Sequence, residues 1–395
     1  MKDVDVIVMG QNYSTTLGLI QAAGEAGFVC GVAKNTANLS QRLTPEQKSN
    51  YVSKYIVFDR RDDKKILDAL IDNFSQSDKK IVLLPADDFC SLFIDRHLTF
   101  LEKYFYIPNS RHQEGEVKKL MDKQVQSEMA TQAGLETAKN WSVQYRGDES
   151  LALPSGIIYP CITKPQISVG TPKTHIRKCN NETELRATLY DIFKERPCDV
   201  LIEEFINISY EYTVPILAYE DEVLIPAFIR KSYVGSGDHR GVTISGKVVN
   251  SNNYAQIVDS LKRLIKNAGL NGLFDIELFE SSGRFYFNEL NLRNGAAGYA
   301  LTRAGINLPA LWIKYCMGNP MDYKNESLKD GLTFVSDKAV LDSYSAGYID
   351  LKTYRNIIKN ADFRFIVDNP DMGAKKAFRK IEIKTIISSL VNKFF

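Results

Sequence analysis

The residues from 270 to 295 include acidic and amide side chains whose spacing fits a metal site. Two strand-like runs flank residues 281–283, Ser-Ser-Gly, a sequence typical of a β-hairpin turn. If the two runs pair around the glycine, Glu277 lies opposite Glu289 and Asp275 lies opposite Asn291. Side-chain alternation along a strand then places all four on one face of the hairpin.

Directly opposed carboxylates destabilise a sheet, because their Cβ atoms are only about 5 Å apart. A cation between them removes this cost, and two carboxylates with an amide oxygen form a hard donor set that suits Mg²⁺. The alternative is a solvated edge strand with scattered charges. Since Arg293 also falls on this face, the pattern favours a metal site with Glu277, Glu289 and Asn291 as its predicted ligands.

Two lysines earlier in the chain are candidates for binding phosphate. Lys164 ends an apolar strand predicted over 157–164, and a polar loop containing Gly170 and Lys173 follows it. A lysine at a strand end beneath a mobile loop suits phosphate, because it acts as a point charge for several oxygens. Lys123 is weaker evidence by itself, since predicted helices carry many solvated lysines.

An acidic linker joins two further predicted strands. The residues Glu203, Glu204, Phe205 and Ile206 end one apolar run, and the next run begins at Glu211. Extended backbone between two sheets can hydrogen-bond the edge of a purine ring, and a nearby carboxylate can accept from ribose hydroxyls. This pattern indicates a nucleotide site only in combination with the lysines and the carboxylate hairpin.

A dibasic pair follows the strand predicted over 224–229. Arg230 and Lys231 are candidates for binding a triphosphate or a substrate carboxylate. A surface dibasic turn explains the pair equally well.

Composition excludes several classes of protein. The 395 residues are 44% hydrophobic and 25% charged, which is typical of a soluble globular chain of two or three domains. The net charge of +2 argues against a general nucleic-acid binder. No apolar run is long enough for a membrane span, and the N-terminus lacks a basic region before an apolar stretch. The six cysteines and four histidines are scattered, so we expect reduced thiols in a cytoplasmic protein and no zinc site.

The first hundred residues alternate short apolar runs with helical periodicity, which predicts βαβ units in a doubly wound parallel sheet. The first loop lacks the G-x-G-x-x-G spacing of a dinucleotide site. Loops at the carboxyl ends of such strands line a crevice, which makes Asn12, Ser14, Asp87 and Asp88 candidates for substrate contact. For the two aspartates a helix N-cap is the favoured alternative.

Periodicity and turn signals give the remaining elements. The predicted strands are 4–9, 28–33, 55–58, 81–84, 104–107, 157–164, 174–178, 200–205, 212–218, 223–228, 272–279 and 285–290. The predicted helices are 15–26, 116–133, 254–268 and 307–317.

Taken in order, these residues resemble the ATP-grasp superfamily over roughly residues 1–320. The resemblance implies that Lys123 and Lys164 contact the phosphates of ATP and that Glu211 holds the ribose. It also implies that the linker 203–206 holds adenine, and that Glu277, Glu289 and Asn291 bind one or two Mg²⁺ ions, or Mn²⁺. The implied fold is α/β, with an N-terminal doubly wound parallel sheet domain, an ATP-grasp fold of two α+β subdomains and a C-terminal extension.

The segments 164–169, 289–295 and 305–308 are similar to those of D-aspartate ligases and related carboxylate–amine ligases. The sequence departs from the superfamily pattern in two places. The phosphate loop contains one glycine, Gly170, where many members have several, and Glu204 stands where many members have lysine.

The resemblance implies an ATP-dependent ligase that joins a carboxylate to an amine through an acyl phosphate and releases ADP and phosphate. Arg293 is then expected to stabilise the acyl phosphate and the tetrahedral oxyanion, with Arg230 and Lys231 as further catalytic candidates. The substrates are expected to be small molecules, possible examples being an amino acid and a cell-envelope precursor. An ATP-grasp carboxylase, another synthetase, a non-catalytic ATP-binding regulator and a nucleotide-binding oxidoreductase are the alternatives.

The predicted domains are 1–112, an N-terminal α/β domain, 113–320, the ATP-grasp domain, and 321–395, a C-terminal extension. The extension ends in a basic segment, 375–395, in which Glu382 is the only acid. Its apolar residues fit one helical stripe, which predicts either peripheral contact with the inner membrane face or a helix packed on the globule. The loop 166–174 is predicted to close over phosphates. No nucleic-acid partner is expected, and the sequence leaves open whether the protein forms a homo-oligomer.

Overall fold

The structure is a computed structural model. It describes residues 3–394 apart from 12, 37–43, 77–78, 146–150, 170, 172, 196–197, 237–240, 320–322 and 324–326, and apart from the side chains of 13, 173 and 392–394.

The N-terminal region forms a five-stranded sheet in which every strand pairs in parallel. The strand order is β3-β2-β1-β4-β5, and β1 is buried throughout, as expected for a parallel strand with both faces covered. This confirms the predicted doubly wound sheet. Its elements are β1 (Val6–Gly10), α1 (Tyr13–Glu25), β2 (Cys30–Thr36), β3 (Val52–Asp59), α2 (Asp63–Phe74), β4 (Ile81–Pro85), α3 (Asp88–Arg96), α4 (Leu98–Leu101) and β5 (Phe105–Tyr106).

A small antiparallel sheet follows, with the strand order β10-β9-β11-β8. One face of it packs on an amphipathic helix, α7, to form a separate hydrophobic core. The elements of this part are β6 (Asn109–Ser110), α5 (Glu116–Leu120), α6 (Lys123–Gln132), β7 (Glu136–Thr137), β8 (Asn140–Tyr145), β9 (Cys161–Pro165), β10 (Arg177–Cys179), α7 (Glu182–Glu195) and β11 (Cys198–Glu204).

A large, mostly antiparallel sheet provides the floor of the molecule's main cleft. Its central strands run in the order β15-β14-β12-β16-β17. The elements are β12 (Tyr210–Tyr219), β13 (Glu222–Leu224), β14 (Ala227–Val234), β15 (Thr243–Asn250), α8 (Ala255–Asn267), β16 (Leu270–Ser281), β17 (Arg284–Asn291), α9 (Tyr299–Arg303) and α10 (Leu308–Cys316).

Two predicted elements are divided in the structure, and both divisions affect the cleft. The helix predicted over 116–133 is wrong as one element, because it breaks at Asp122, whose side chain caps α6 by accepting from the Gln124 N–H at 2.8 Å. The break makes Lys123 the first residue of α6. The strand predicted over 223–228 is two strands, β13 and β14, so Arg230 and Lys231 lie within β14 rather than after a strand.

The C-terminal segment extends the large sheet. Strand β18 pairs with β15 and carries β19 on its other side, so the boundary predicted at residue 320 falls inside one sheet. The domain limits stay a prediction in other respects. The elements here are β18 (Thr333–Val335), α11 (Asp337–Ser345), α12 (Leu351–Lys359), β19 (Phe363–Arg364) and α13 (Met372–Phe394).

The helix α13 is docked on the globule over its first half. Ala374 and Phe378 are fully buried, and Glu382 is 4% exposed. Glu382 accepts from Arg364 at 2.6 Å and from the Tyr354 hydroxyl at 2.7 Å. This placement confirms a packed helix for this half. None of the described helices is long and apolar enough to cross a bilayer.

We predict that Arg364→Met destabilises the fold by about 3–5 kcal/mol. Arg364 also contacts Asp337 at 2.5 Å, so its loss leaves the buried Asp337 without its cation and leaves Glu382 with the half-exposed Arg379 as its cation. Urea denaturation measures the change. Arg355→Met, at an exposed arginine of α12, is the matched control and is expected to change stability little. Equal stability of the two variants would contradict this account of how α13 is held.

Candidate active site

A cavity of about 620 Å³ lies between the small sheet, the large sheet and the N-terminal domain. It brings together about half of the residues predicted from the sequence. Those that line it are Ser14, Asp88, Lys123, Lys164, Glu211, Glu277, Glu289, Asn291 and Arg293.

The hairpin of β16 and β17 has the predicted register, with Glu277 opposite Glu289 and Asp275 opposite Asn291. The turn is tighter than predicted, because only Ser282 and Gly283 form it, with φ of 50° and 77°. This tighter turn alone would shift the register by one residue. A β-bulge beside the Glu277–Glu289 pair takes up the extra residue, Asn288, and Asn288 and Glu289 both line the cavity.

Glu289 is held by a lysine from the opposite side of the cleft. The Lys123 ammonium donates to Glu289 and, at 2.6 Å, to the Ser168 hydroxyl. Ser168 in turn lies 3.3 Å from Glu289. Burial by itself raises the pKa of Glu289, but the charge and hydrogen bond of Lys123 outweigh it, so the pKa lies below its ordinary value. Glu289 is therefore ionised at neutral pH.

Glu277 is held by a different lysine, which comes from β14. Lys231 Nζ lies 3.3 Å from Glu277 and 3.5 Å from Glu211, and its side chain is 1% exposed. Burial lowers the pKa of Lys231, but Glu277 and Glu211 together raise it above its ordinary value. Lys231 is thus a buried permanent cation directly beneath the carboxylate hairpin.

Lys164 completes the set of cations from the small sheet. Its ammonium contacts Glu203 and donates to Asn288 Oδ1 at 2.9 Å. It also lies 5.8 Å from the centre of the Phe279 ring. The predicted phosphate lysine therefore reaches across the cleft to the bulge of β17.

Arg293 joins the hairpin to the N-terminal domain. Its guanidinium contacts Asp88 at 2.9 Å and donates to Asn291 Oδ1 at 3.3 Å. The neighbouring Asp87 is the N-cap of α3, accepting from the Cys90 N–H at 2.8 Å. The helix cap expected for these aspartates is therefore Asp87, whereas Asp88 faces the cavity.

Asp275 is an acid that sequence reasoning placed on this face without giving it a role. It is 1% exposed, and its Oδ2 atom has no hydrogen-bond partner. Burial and the nearby Glu277 raise the pKa of Asp275 to about 8. Gly295 packs against this carboxylate so closely that a Cβ atom there would lie 2.0 Å from Oδ2. Any larger residue at 295 would displace Asp275.

The charges of the cleft suit a divalent cation. Among the described residues six carboxylates face four cations, which leaves two negative charges in excess when every acid is ionised and one while Asp275 is protonated. The carboxylates are Asp88, Glu203, Glu211, Asp275, Glu277 and Glu289, and the cations are Lys123, Lys164, Lys231 and Arg293. Among the described residues no three His, Cys, Asp or Glu side chains converge as a metal cluster. The hard oxygen ligands Glu277, Glu289 and Asn291 suit Mg²⁺. Water molecules and phosphate oxygens commonly complete the coordination shell of such an ion.

Other predicted residues do not line the cavity. In the linker, the backbone N–H groups of Glu204 and Phe205 donate to Lys139 O and Pro160 O, at 2.8 and 3.1 Å. These two N–H groups therefore already have hydrogen-bond acceptors within the chain. Ile206 is the next residue along the linker. The side chain of Lys173 and two residues of the loop predicted to close, Gly170 and Pro172, lie outside the described part, as does Asn12.

Arg230 lies on the opposite face of the large sheet from its neighbour Lys231. Its guanidinium stacks 4.9 Å from the centre of the Tyr210 ring. Strand alternation separates the dibasic pair, since one member points into the cleft and the other points away. The position gives no support to the catalytic role expected for Arg230.

Several cavity residues were not predicted from the sequence. Ser168 and Asn288 look like ordinary polar residues of a loop and a strand. Ser336 and Phe365 line the cavity from the C-terminal segment, which was expected to be a separate extension. Asn288 had one signal that could have found it, the mismatch between a two-residue turn and the required carboxylate register.

Comparison with known proteins assigns residues 128–306 to a family, described as the ATP-grasp domain. The solved structures that are similar in fold include three different proteins. N5-carboxyaminoimidazole synthetase from Staphylococcus aureus, complexed with ADP, has a TM-score of 0.64 and 16% identity and covers 91% of this chain and 87% of its own. L-amino acid ligase from Bacillus licheniformis has a TM-score of 0.59 and 14% identity, covering 80% and 75%. The biotin carboxylase domain of Hydrogenobacter thermophilus 2-oxoglutarate carboxylase has a TM-score of 0.65 and 16% identity, covering 84% and 74%.

No curated protein matches the sequence. The domain match confirms the resemblance to ATP-grasp proteins and the expected fold. The match supports the expectation of an ATP-dependent ligase that uses ATP with Mg²⁺. The individual site residues stay predictions that the geometry of the cavity supports.

We predict that Asp88→Asn lowers kcat about tenfold while the affinity for ADP is unchanged, because Arg293 loses the charge that orients it across the domain boundary. Steady-state turnover and ADP titration measure the two effects. Asp63→Asn is the matched control, since Asp63 has the same exposure, begins a helix and also pairs with an arginine, Arg96. A weakened ADP affinity in Asp88→Asn alone would contradict the assignment.

Proposed function

We propose that this chain, whose residues 128–306 are an ATP-grasp domain, joins a carboxylate to an amine through an acyl phosphate. The observation that carries the proposal is the convergence in one cavity of phosphate-type lysines and an opposed carboxylate pair. Lys123 and Lys164 reach the cavity from one side, and Glu277 and Glu289 from the other. The arrangement suits a polyphosphate held between cations and a metal site.

The residues have distinct roles in this proposal. Lys123 and Lys164 bind phosphate oxygens, and Glu277, Glu289 and Asn291 hold the metal. Bound Mg²⁺ supplies positive charge to the phosphate oxygens. Arg293, which Asp88 orients, stabilises in this proposal the negative charge that develops on the substrate carbonyl.

The chemistry takes two steps. A carboxylate oxygen attacks the γ-phosphorus of ATP, the bond from phosphorus to the bridging oxygen breaks, and ADP leaves. An amine nitrogen then attacks the carbonyl carbon, a proton leaves the nitrogen, and the carbon–oxygen bond to phosphate breaks. Both steps build negative charge on oxygen, which preorganised cations stabilise. Lys123, Lys164 and Arg293 provide this charge without reorganisation of the fold.

The substrate is the finer part of the proposal. The resemblance to D-aspartate ligases favours an amino acid and a cell-envelope precursor as the partners. A second candidate is bicarbonate as the carboxylate, because two of the three similar structures are named for carboxyl chemistry. A regulator that only binds ATP is a third alternative, which the complete set of Glu277, Glu289, Asn291 and Arg293 disfavours.

We predict ADP release that requires one carboxylate and one amine together. The experiment crosses a panel of carboxylates, including bicarbonate, with a panel of amines and reads ADP and phosphate. Hydroxylamine in place of the amine is expected to trap the acyl phosphate as a hydroxamate. The folded variant Glu289→Gln is expected to be inactive, and Glu136→Gln, at an exposed acid paired with Arg284, is its matched control.

Three results would contradict the proposal. Release of AMP and pyrophosphate would show adenylation instead. Activity with bicarbonate alone would select the carboxylase alternative. Near-normal turnover of Glu289→Gln at saturating Mg²⁺ would remove the metal assignment.

We also propose that the second half of α13 contacts an anionic lipid surface. Ile383, Ile387 and Val391 are spaced by four residues and are about half exposed, at 58%, 57% and 49%. The exposed side chains around them include Lys380 and Lys384, and the one acid of the helix, Glu382, is buried. A face that is basic and apolar without exposed acid matches the chemistry of an interfacial helix.

We predict that the full chain co-sediments with vesicles containing anionic lipid at low salt and that Ile387→Glu releases it, because the new charge opposes insertion and repels the headgroups. Tyr190→Glu, at another exposed large side chain, is the matched control and is expected to sediment like the wild type. Equal recovery of all three proteins would leave α13 as a packed helix alone.

A further inference from the structure

Each carboxylate of the metal site is already paired with a lysine. Glu289 contacts Lys123, and Glu277 lies 3.3 Å from Lys231. A cation that approaches both carboxylates must also approach both ammonium groups. The repulsion between a metal ion and an ammonium group is strong in a partly buried cleft, because little water screens the two charges.

The two lysines differ in their freedom to leave. Lys231 is 1% exposed and is fixed between Glu277, Glu211 and the Gly241 carbonyl. Lys123 is the first residue of α6, and its ammonium faces the cavity, where Ser168 is its second partner. A lysine has a flexible stem and three donors, so Lys123 can exchange Glu289 for a phosphate oxygen without movement of the helix.

We propose that Lys123 is a gate on the metal site, which opens when phosphate oxygens draw its ammonium away from Glu289. Divalent metal then binds tightly only with, or after, a polyphosphate. This inference rests on the proposed function for the identity of the metal ligands, and it adds the order in which the charges assemble.

The same exchange reaches the phosphate loop. Ser168 lies in the segment after β9, and this segment is fastened to the start of α6. The Lys123 N–H donates to the Gln166 carbonyl at 3.1 Å, and the Gln166 side chain donates to Asp122 at 2.7 Å. When Lys123 leaves Glu289, Ser168 keeps its own contact with Glu289 at 3.3 Å, and Gln166 keeps the segment anchored to the start of α6. The start of the loop therefore remains in place while Lys123 moves to the phosphates.

The test is a Mn²⁺ titration followed by water-proton relaxation, which separates protein-bound Mn²⁺ from the free Mn²⁺–ADP complex. The wild type is expected to bind Mn²⁺ at least about tenfold more tightly with ADP, or with tripolyphosphate, than without. Lys123→Gln is expected to bind Mn²⁺ about tenfold more tightly than the wild type when no nucleotide is present. Lys119→Gln, at a lysine whose side chain is 65% exposed, is the matched control and is expected to behave like the wild type.

Two results would overturn the gate: tight Mn²⁺ binding by the wild type that ADP and tripolyphosphate leave unchanged, or equal affinity of Lys123→Gln and Lys119→Gln. If Lys123→Gln fails to fold, which circular dichroism detects, tight Mn²⁺ binding by the wild type in the absence of nucleotide and polyphosphate still overturns the gate. Glu289→Gln with ADP tests the metal site separately. Loss of Mn²⁺ there keeps the proposed ligands even if the gate fails, whereas unchanged binding removes both.

Discussion

The opposed pair Glu277 and Glu289 is the constraint on which the rest of the cleft depends. The hydrogen bonds of β16 and β17 hold two carboxylates across one rung of a sheet, where like charges repel. The sheet cannot relieve this repulsion, because β16 is paired along Glu277 with both β12 and β17 and the β16–β17 ladder continues to Asn291. Relief must come from cations on other elements. Lys123 and Lys231 supply it from α6 and β14, 154 and 46 positions earlier than Glu277.

This need for cations explains why separate layers meet at one cleft. The small sheet supplies Lys164, and the N-terminal domain supplies Asp88, which orients Arg293. The C-terminal segment closes the same cleft with Ser336 and Phe365. Its buried apolar residues belong to the same core as those of the N-terminal sheet, so the two ends of the chain pack as one body around the site. A charged cleft with a single cover would leave its ion pairs open to water and weaken them.

Sequence reasoning predicted the parts of this site that are local. The hairpin register followed from alternation and one turn signal, and the doubly wound sheet followed from apolar runs. The bulge at Asn288 was missed because the predicted turn was too long and the predicted strand was regular. These two errors offset each other and leave the predicted register unchanged. Arg230 and Lys231 could not be told apart from sequence, since the limits of β14 decide which one faces the cleft. The contact between Asp88 and Arg293 joins positions 205 residues apart, and a single sequence gives no information about a contact at such a separation.

Neutralisation by lysines has an energetic consequence for binding as well as for folding. A carboxylate pair left bare in a partly buried cleft would cost several kcal/mol of stability. Pairing each acid with a lysine removes this cost, but any metal must then displace an existing partner. A phosphate offers the lysine an equivalent anion at the moment when the metal needs the carboxylate. In the proposed gate the ion pairs are exchanged and not lost, which would let a chain with opposed acids remain stable without metal and bind it where phosphate is present.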